Sequence, residues 1–170
     1  MANTKHTLVA LVEDKPGVLA RIASLFRRRA FNVHSLVAGG SEYPGLSRMT
    51  IVAGGDSAQM EQVRKQLEKL INVVKVSDIT EEDMVIRELA LFKVQSTPST
   101  RSEIMQIVNI FRANIVDVSP NSLTVEVTGD ENKVNSLLRL LHDFGIKEIS
   151  RTGHIALTRG SSSQIINGNL

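Results

Sequence analysis

Thr7–Leu8–Val9–Ala10–Leu11–Val12–Glu13–Asp14–Lys15–Pro16–Gly17–Val18–Leu19–Ala20–Arg21–Ile22 reads as a strand, a turn and the start of a helix. Residues 7–12 are apolar at odd and even positions alike, the pattern of a strand covered on both faces. Asp14–Lys15–Pro16–Gly17 interrupts it, with proline where a helix begins. Val18, Ile22, Leu25 and Phe26 then recur at i, i+4, i+7 and i+8, one helical face. Arg27–Arg28–Arg29 ends the helix where its dipole favours cations.

Outward from this opening the same grammar continues. Asn32–Val33–His34–Ser35–Leu36–Val37 is a second strand closed by Gly39–Gly40. Tyr43–Pro44–Gly45 is a turn, and Ser47–Arg48–Met49–Thr50–Ile51–Val52 a third strand. Asp56 and Ser57 offer caps for a helix with Met60, Val63, Leu67 and Leu70 on one stripe, before a fourth strand at Val73–Val74–Lys75–Val76. After an acidic linker, Thr80–Glu81–Glu82–Asp83, the order repeats. Leu89–Val94 is a strand, and Thr100–x–x–Glu103 has the form of a capping box opening a helix. Ile115–Val118 and the alternating Leu123–Thr128 are strands. Val134, Leu137, Leu138 and Leu141 mark a helix stopped at Gly145, with Ile146–Ile149 the last strand and Ile155–Leu157 a possible extension. The fold class is therefore α+β: two tandem ferredoxin-like βαββαβ sandwiches. Residues 5–79 and 84–159 are the two domains, and 160–170, rich in Gly, Ser and Asn, reads as a flexible tail. Right-handed crossovers place both helices of a unit on one sheet face. The other face of the first sheet is then expected to be bare yet apolar, which points to self-association or a protein partner.

Composition narrows the function. The 170 residues contain no cysteine and no tryptophan, so thiolate chemistry and disulfides are excluded. That usage suits the cytoplasm. No signal-peptide pattern precedes Thr7, and no apolar run approaches the roughly 20 residues that span a bilayer. Residues 1–80 carry 11 basic and 7 acidic groups, residues 81–170 carry 9 and 11. Neither half has the dominant basic cluster of a nucleic-acid binder, and strands one and three lack the aromatic residues on which RNA bases stack. His6, His34, His142 and His154 lie at no metal-ligand spacing. Gly39–Gly40–Ser41 and Gly54–Gly55–Asp56 match no phosphate loop. No nucleophile–base pair stands out, and the chain reads as non-catalytic. Arg27–Arg28–Arg29 is read first as a solvated helix end.

One segment carries a binding signal. Glu13–Asp14–Lys15–Pro16–Gly17–Val18–Leu19 runs a loop into a helix start, where backbone N–H groups lack partners and the dipole adds positive charge. Such a site accepts a carboxylate. Gly17 admits a ligand close to the backbone, Val18 and Leu19 supply an apolar wall, and Asn32 has donors and an acceptor for a zwitterion. A plain strand–turn–helix with Asn32 as a turn residue fits the same residues.

Asp14–Lys15–Pro16–Gly17–Val18–Leu19, Arg28–Arg29–Ala30–Phe31–Asn32–Val33 and Pro44–Gly45–Leu46–Ser47–Arg48–Met49–Thr50 resemble the ACT domain of the acetolactate synthase (acetohydroxyacid synthase) regulatory small subunit. Arg87–Glu88–Leu89–Ala90–Leu91, Ile110–Phe111–Arg112–Ala113, Ile115–Val116–Asp117–Val118 and Ile149–Ser150–Arg151–Thr152–Gly153 are similar to that family's C-terminal domain. The resemblance runs from about residue 5 to 160. It implies a chain without synthase chemistry of its own and without a bound cofactor or metal. Such a chain activates a catalytic large subunit that carries thiamine diphosphate, Mg²⁺ and FAD. It confers feedback inhibition by valine or a related branched-chain amino acid in valine, leucine and isoleucine biosynthesis. It also implies a homodimer through the ACT sheets with effector sites at the interface, and effector contacts at Asp14, Gly17, Val18, Leu19 and Asn32. Asp14 stands where many relatives have Asn, Ala30 where Gly is common, and His34 where Glu is common. The rival readings are a free-standing ACT-type amino-acid sensor, an RNA-binding sandwich with steeply salt-dependent affinity, and a small enzyme that turns over alone.

Overall fold

The computed structural model describes residues 4–28 and 31–160. Among the sequence features named above, Arg29, Ala30 and residues 161–170 of the tail lie outside the described residues. The chain forms two compact units. One comprises the described residues up to Val85 together with those from His154 onward, and the other is Ile86–Gly153.

In the first unit β1 (Thr4–Glu13), α1 (Val18–Arg28), β2 (Asn32–Gly40), β3 (Leu46–Gly55), α2 (Ser57–Glu68) and β4 (Val73–Asp78) follow the expected order. The sheet order is β2-β3-β1-β4, antiparallel throughout. Register fixes the faces. Leu8 pairs with Ile51 and Ala10 with Met49, and these residues pack with Ile22, Phe26, Met60 and Leu67 of the two helices in one core. Met49 and the even positions of β1 thus face the helices, as the period of two requires.

The opposite face is not bare. Val9, Leu11 and Val52, on the alternate positions, are 0%, 1% and 4% exposed. The chain itself supplies part of that cover. Ser35 pairs with Val52 and so shares its face, and its Oγ accepts the His154 backbone N–H at 2.8 Å. Beyond His154, β9 (Ile155–Thr158) pairs with β5 (Met84–Gln95). The expectation of an open apolar face failed, and the His154 contact onto it comes from more than 100 residues away in sequence, beyond the reach of local patterning.

The second unit repeats the topology. β5, α3 (Arg101–Ile110), β6 (Asn114–Ser119), β7 (Ser122–Gly129), α4 (Glu131–His142) and β8 (Ile146–Arg151) give the sheet order β6-β7-β5-β8. Leu123, Val125 and Val127 are buried while the residues between them are not, as the alternation predicts. Phe92, Ile104, Leu137 and Leu141 centre its core. The Glu88 side chain is 2% exposed and is held by two hydrogen bonds from the Arg151 guanidinium, which also donates to Asn135 of α4 at 3.0 Å.

Asp56 caps α2 in a reciprocal box with Gln59, and Asp130 caps α4. The expected Thr100–Glu103 box does not form: Thr100 makes no side-chain cap bond to the helix. The exchange occurs one turn earlier. Thr97 N–H donates to Thr100 Oγ1 at 3.0 Å, and Thr100 N–H to Thr97 Oγ1 at 3.3 Å. Pro98 and Ser99 tolerate that extra turn, which the box pattern alone does not show.

Candidate functional site

The loop after β1 is pinned from both neighbouring strands. Glu13 N–H donates to the Asn72 carbonyl, and Asp14 N–H to the Gly45 carbonyl, both at 2.9 Å. Lys15 N–H turns back to the Glu13 carbonyl at 3.0 Å. Gly17 adopts φ +85°, and no heavy atom lies within 4 Å of where a Cβ would stand. Its conformation calls for glycine and the space above it is open. Its carbonyl accepts the first helical bond, from Arg21 N–H at 3.1 Å. Gly17 therefore occupies the capping position without a side chain to cap, and the first turn of α1 contains no acidic residue. The helix start keeps its donors for something else.

Around it charge is mixed. The Asn72 amide, followed by Lys15, holds the Glu13 carboxyl below its ordinary range, against a small opposing effect of desolvation. Asp14 is exposed. A positive helix end beside a free carboxylate offers complementary ends to a zwitterion.

The residues singled out from sequence divide. Asp14, Gly17 and Leu19 (51% exposed) come together at the loop–helix junction. The Val18 side chain is 5% exposed and belongs to the core; its backbone N–H donates at 3.4 Å to the Lys15 carbonyl. Asn32 lies elsewhere. It pairs with Gly54, which pairs with Lys5, at one end of the sheet, whereas Glu13 pairs with Leu46 at the other. Lys5 to Glu13 is a span of roughly 27 Å at about 3.4 Å per residue. Asn32 and Gly17 of one chain cannot touch the same small molecule.

Sequence reasoning missed two supports of the junction and one unsatisfied cation at the same end of the sheet. Asn72 carries a bridge from Glu13 to Arg21, whose guanidinium donates to its Oδ1. Gly45 was visible as a turn, but not that its carbonyl anchors Asp14. Arg48, in register with Leu11 and Gly39 near the same end, has a buried Nε without a hydrogen-bond partner. Burial lowers its pKa, with Glu42 opposing. A lone cation in a strand with no other charged residue was the available signal. Among the described residues no cluster of His, Asp or Glu could hold a metal ion, and no helix is long and apolar enough to cross a membrane.

Comparison with known proteins adds the following. Residues 8–75 match the family described as "AHAS small subunit-like ACT domain", and residues 87–160 the family described as "Small subunit of acetolactate synthase". A probable acetolactate synthase small subunit of Archaeoglobus fulgidus is 57% identical over 157 residues, covering 92% of this chain and 98% of that protein. The acetolactate synthase small subunit of Mycobacterium bovis is 54% identical over 160 residues, covering 94% and 95%. The crystal structure of the Thermotoga maritima acetolactate synthase small subunit superposes with a TM-score of 0.86 at 43% identity, covering 92% of this chain and 98% of that one.

Proposed function

Because the chain belongs to the acetolactate synthase small-subunit family, we propose that it activates the catalytic large subunit and confers feedback inhibition by valine or a related branched-chain amino acid. Residues 5–79 sense the effector, and residues 84–159 form the second domain. The thiamine diphosphate, Mg²⁺ and FAD of the reaction reside on the large subunit, where the carboligation occurs.

The separation of Asn32 from Gly17 carries this reading. β2 is an edge strand of nine residues without an Asp, Glu, Lys or Arg, and long uncharged edges are avoided unless something pairs with them. Two chains joined antiparallel through β2 bring the Asn32 end of each beside the Gly39–Gly40 end, and hence the Gly17 loop, of the other. The amino acid's carboxylate meets the open N–H groups of α1, its ammonium group meets Asp14, and its side chain meets Leu19. Asn32 of the second chain closes the site. Val18 contributes backbone only. A ligand bridging two chains stabilises one arrangement of the pair, and a tenfold change in activity requires about 1.4 kcal/mol of differential binding. Acetolactate formation by a reconstituted complex, with and without valine, is the test. The chain alone should show no turnover, and Gly17→Asp and Asn32→Ala should each abolish valine inhibition while leaving activation in place. Undiminished valine binding in both variants would remove the site.

A further inference from the structure

The structure also points to where the large subunit docks: we propose that the solvent face of α1, with the α2–β4 turn beside it, receives an acidic amphipathic segment of that subunit. The proposal rests on the regulatory reading above and names the surface it leaves open.

Charge is the first observation. α1 carries Arg21, Arg27 and Arg28 and not one acidic residue. Neighbouring α2 is equally rich in charge but satisfies itself: Arg64 binds Glu61 at 2.8 Å and Glu68 at 2.6 Å, and Lys65 pairs with Glu61 at 3.4 Å. No carboxylate of the described residues forms an ion pair with the three arginines of α1. A helix face of uncompensated guanidinium groups is complementary to carboxylates, which arginine engages in bidentate fashion.

Shape is the second. A groove of about 320 Å³ runs along this face, lined by Ala20, Arg21, Ser24, Arg28 and Leu70. Ala20 and Ser24 are one turn apart and small, so a partner backbone can come close between the two arginines. Arg21 is presented rather than mobile, because Asn72 takes one of its N–H groups and is itself tied to Glu13. Ordering that side chain in advance lowers the entropy cost of docking. Apolar contact is available beside it: Ile71, next to Leu70, is 87% exposed. Arginine is among the residues that interfaces enrich. The arginine run that sequence alone read as a solvated helix end thus acquires a partner, and the opposite charge selects an acidic one.

The full chain and its large subunit, purified separately, are titrated against each other at about 50 and about 300 mM KCl, either side of physiological screening. Association should weaken with salt and fall by about tenfold or more in Arg28→Glu and in Ser24→Glu, while Arg28→Lys, which keeps the charge and loses the bidentate fork, falls between them and the unaltered chain. Valine binding to the isolated chain, read by calorimetry, should be equal in all three variants. Unchanged association in both Arg28→Glu and Ser24→Glu overturns the surface. So does binding of the unaltered chain to heparin or to phosphatidylserine vesicles as tightly as to the large subunit, since the arginines would then serve a polyanion or a membrane. If the unaltered chain fails to associate with the large subunit at all, the regulatory reading fails first and takes the surface with it.

Discussion

At Gly17 the backbone sits at φ +85° with open space above it, so an added methyl group meets strain and no clash. Gly17→Ala should therefore lower stability by only about 1–2 kcal/mol, measured by urea unfolding. Glu61 makes a different residue-scale point. Its hydrogen bond with Arg64 is the largest of the effects that hold its pKa at about 2, below the ordinary 4.5. A carboxylate depressed in the folded state stabilises above its unfolded pKa and loses that contribution as pH falls through the folded value. The difference in melting temperature between the native chain and Glu61→Gln should accordingly shrink as pH is lowered from 4.5 to about 2. Glu88 belongs to the interior and Arg151 reaches it from the surface: Arg151→Ala removes the guanidinium from a carboxylate that is 2% exposed, and should cost on the order of 3 kcal/mol in the same unfolding assay. Both partners were quoted from sequence as parts of a resemblance. Their pairing was not legible, because 63 residues separate them and only the β5–β8 ladder brings them together.

Elements were read well where one physical period dominated. The stripes Val18–Ile22–Leu25–Phe26 and Val134–Leu137–Leu141 are buried as spaced, and Asp56 caps as its position suggests. The start of α3 was misread, because two threonines three residues apart offer competing boxes and the side-chain pattern does not rank them. Glu103→Gln should thus leave stability unchanged within about 0.5 kcal/mol, whereas Thr97→Val should cost about 1 kcal/mol. Two of the edge strands, β2 and β6, show how element length and charge set partnership. β6 has six residues, a register break between Ile115 and Asp117, and a carboxylate in the middle. β2 has nine residues and no formal charge beyond His34. Both are edges with a register break, that of β2 between Val33 and Ser35, but only β6 is short and carries a carboxylate that discourages pairing.

For the whole molecule the tandem repeat was legible and the placement of the proposed binding residues was not. Periodicity gave the order of elements, but only register showed Asn32 and Gly17 at opposite ends of one sheet. That geometry makes a complementation experiment decisive. Chains carrying Gly17→Asp and chains carrying Asn32→Ala should each bind no valine alone. Mixed and allowed to exchange, half of the pairs are heterodimers with one intact site each, so about a quarter of the sites should return. Calorimetric titration of the mixture measures this, and no recovery would mean that the two residues do not serve one site across the pair. The return of residues from His154 onward to the first unit has a consequence for how the molecule is made. Ribosomes add about 5–20 residues per second, so the amino-terminal unit waits several seconds, through synthesis of the entire middle of the chain, for the strand-bearing segment that completes it. The second unit receives its last residue just before that segment is made, so the unit begun first is the one completed last.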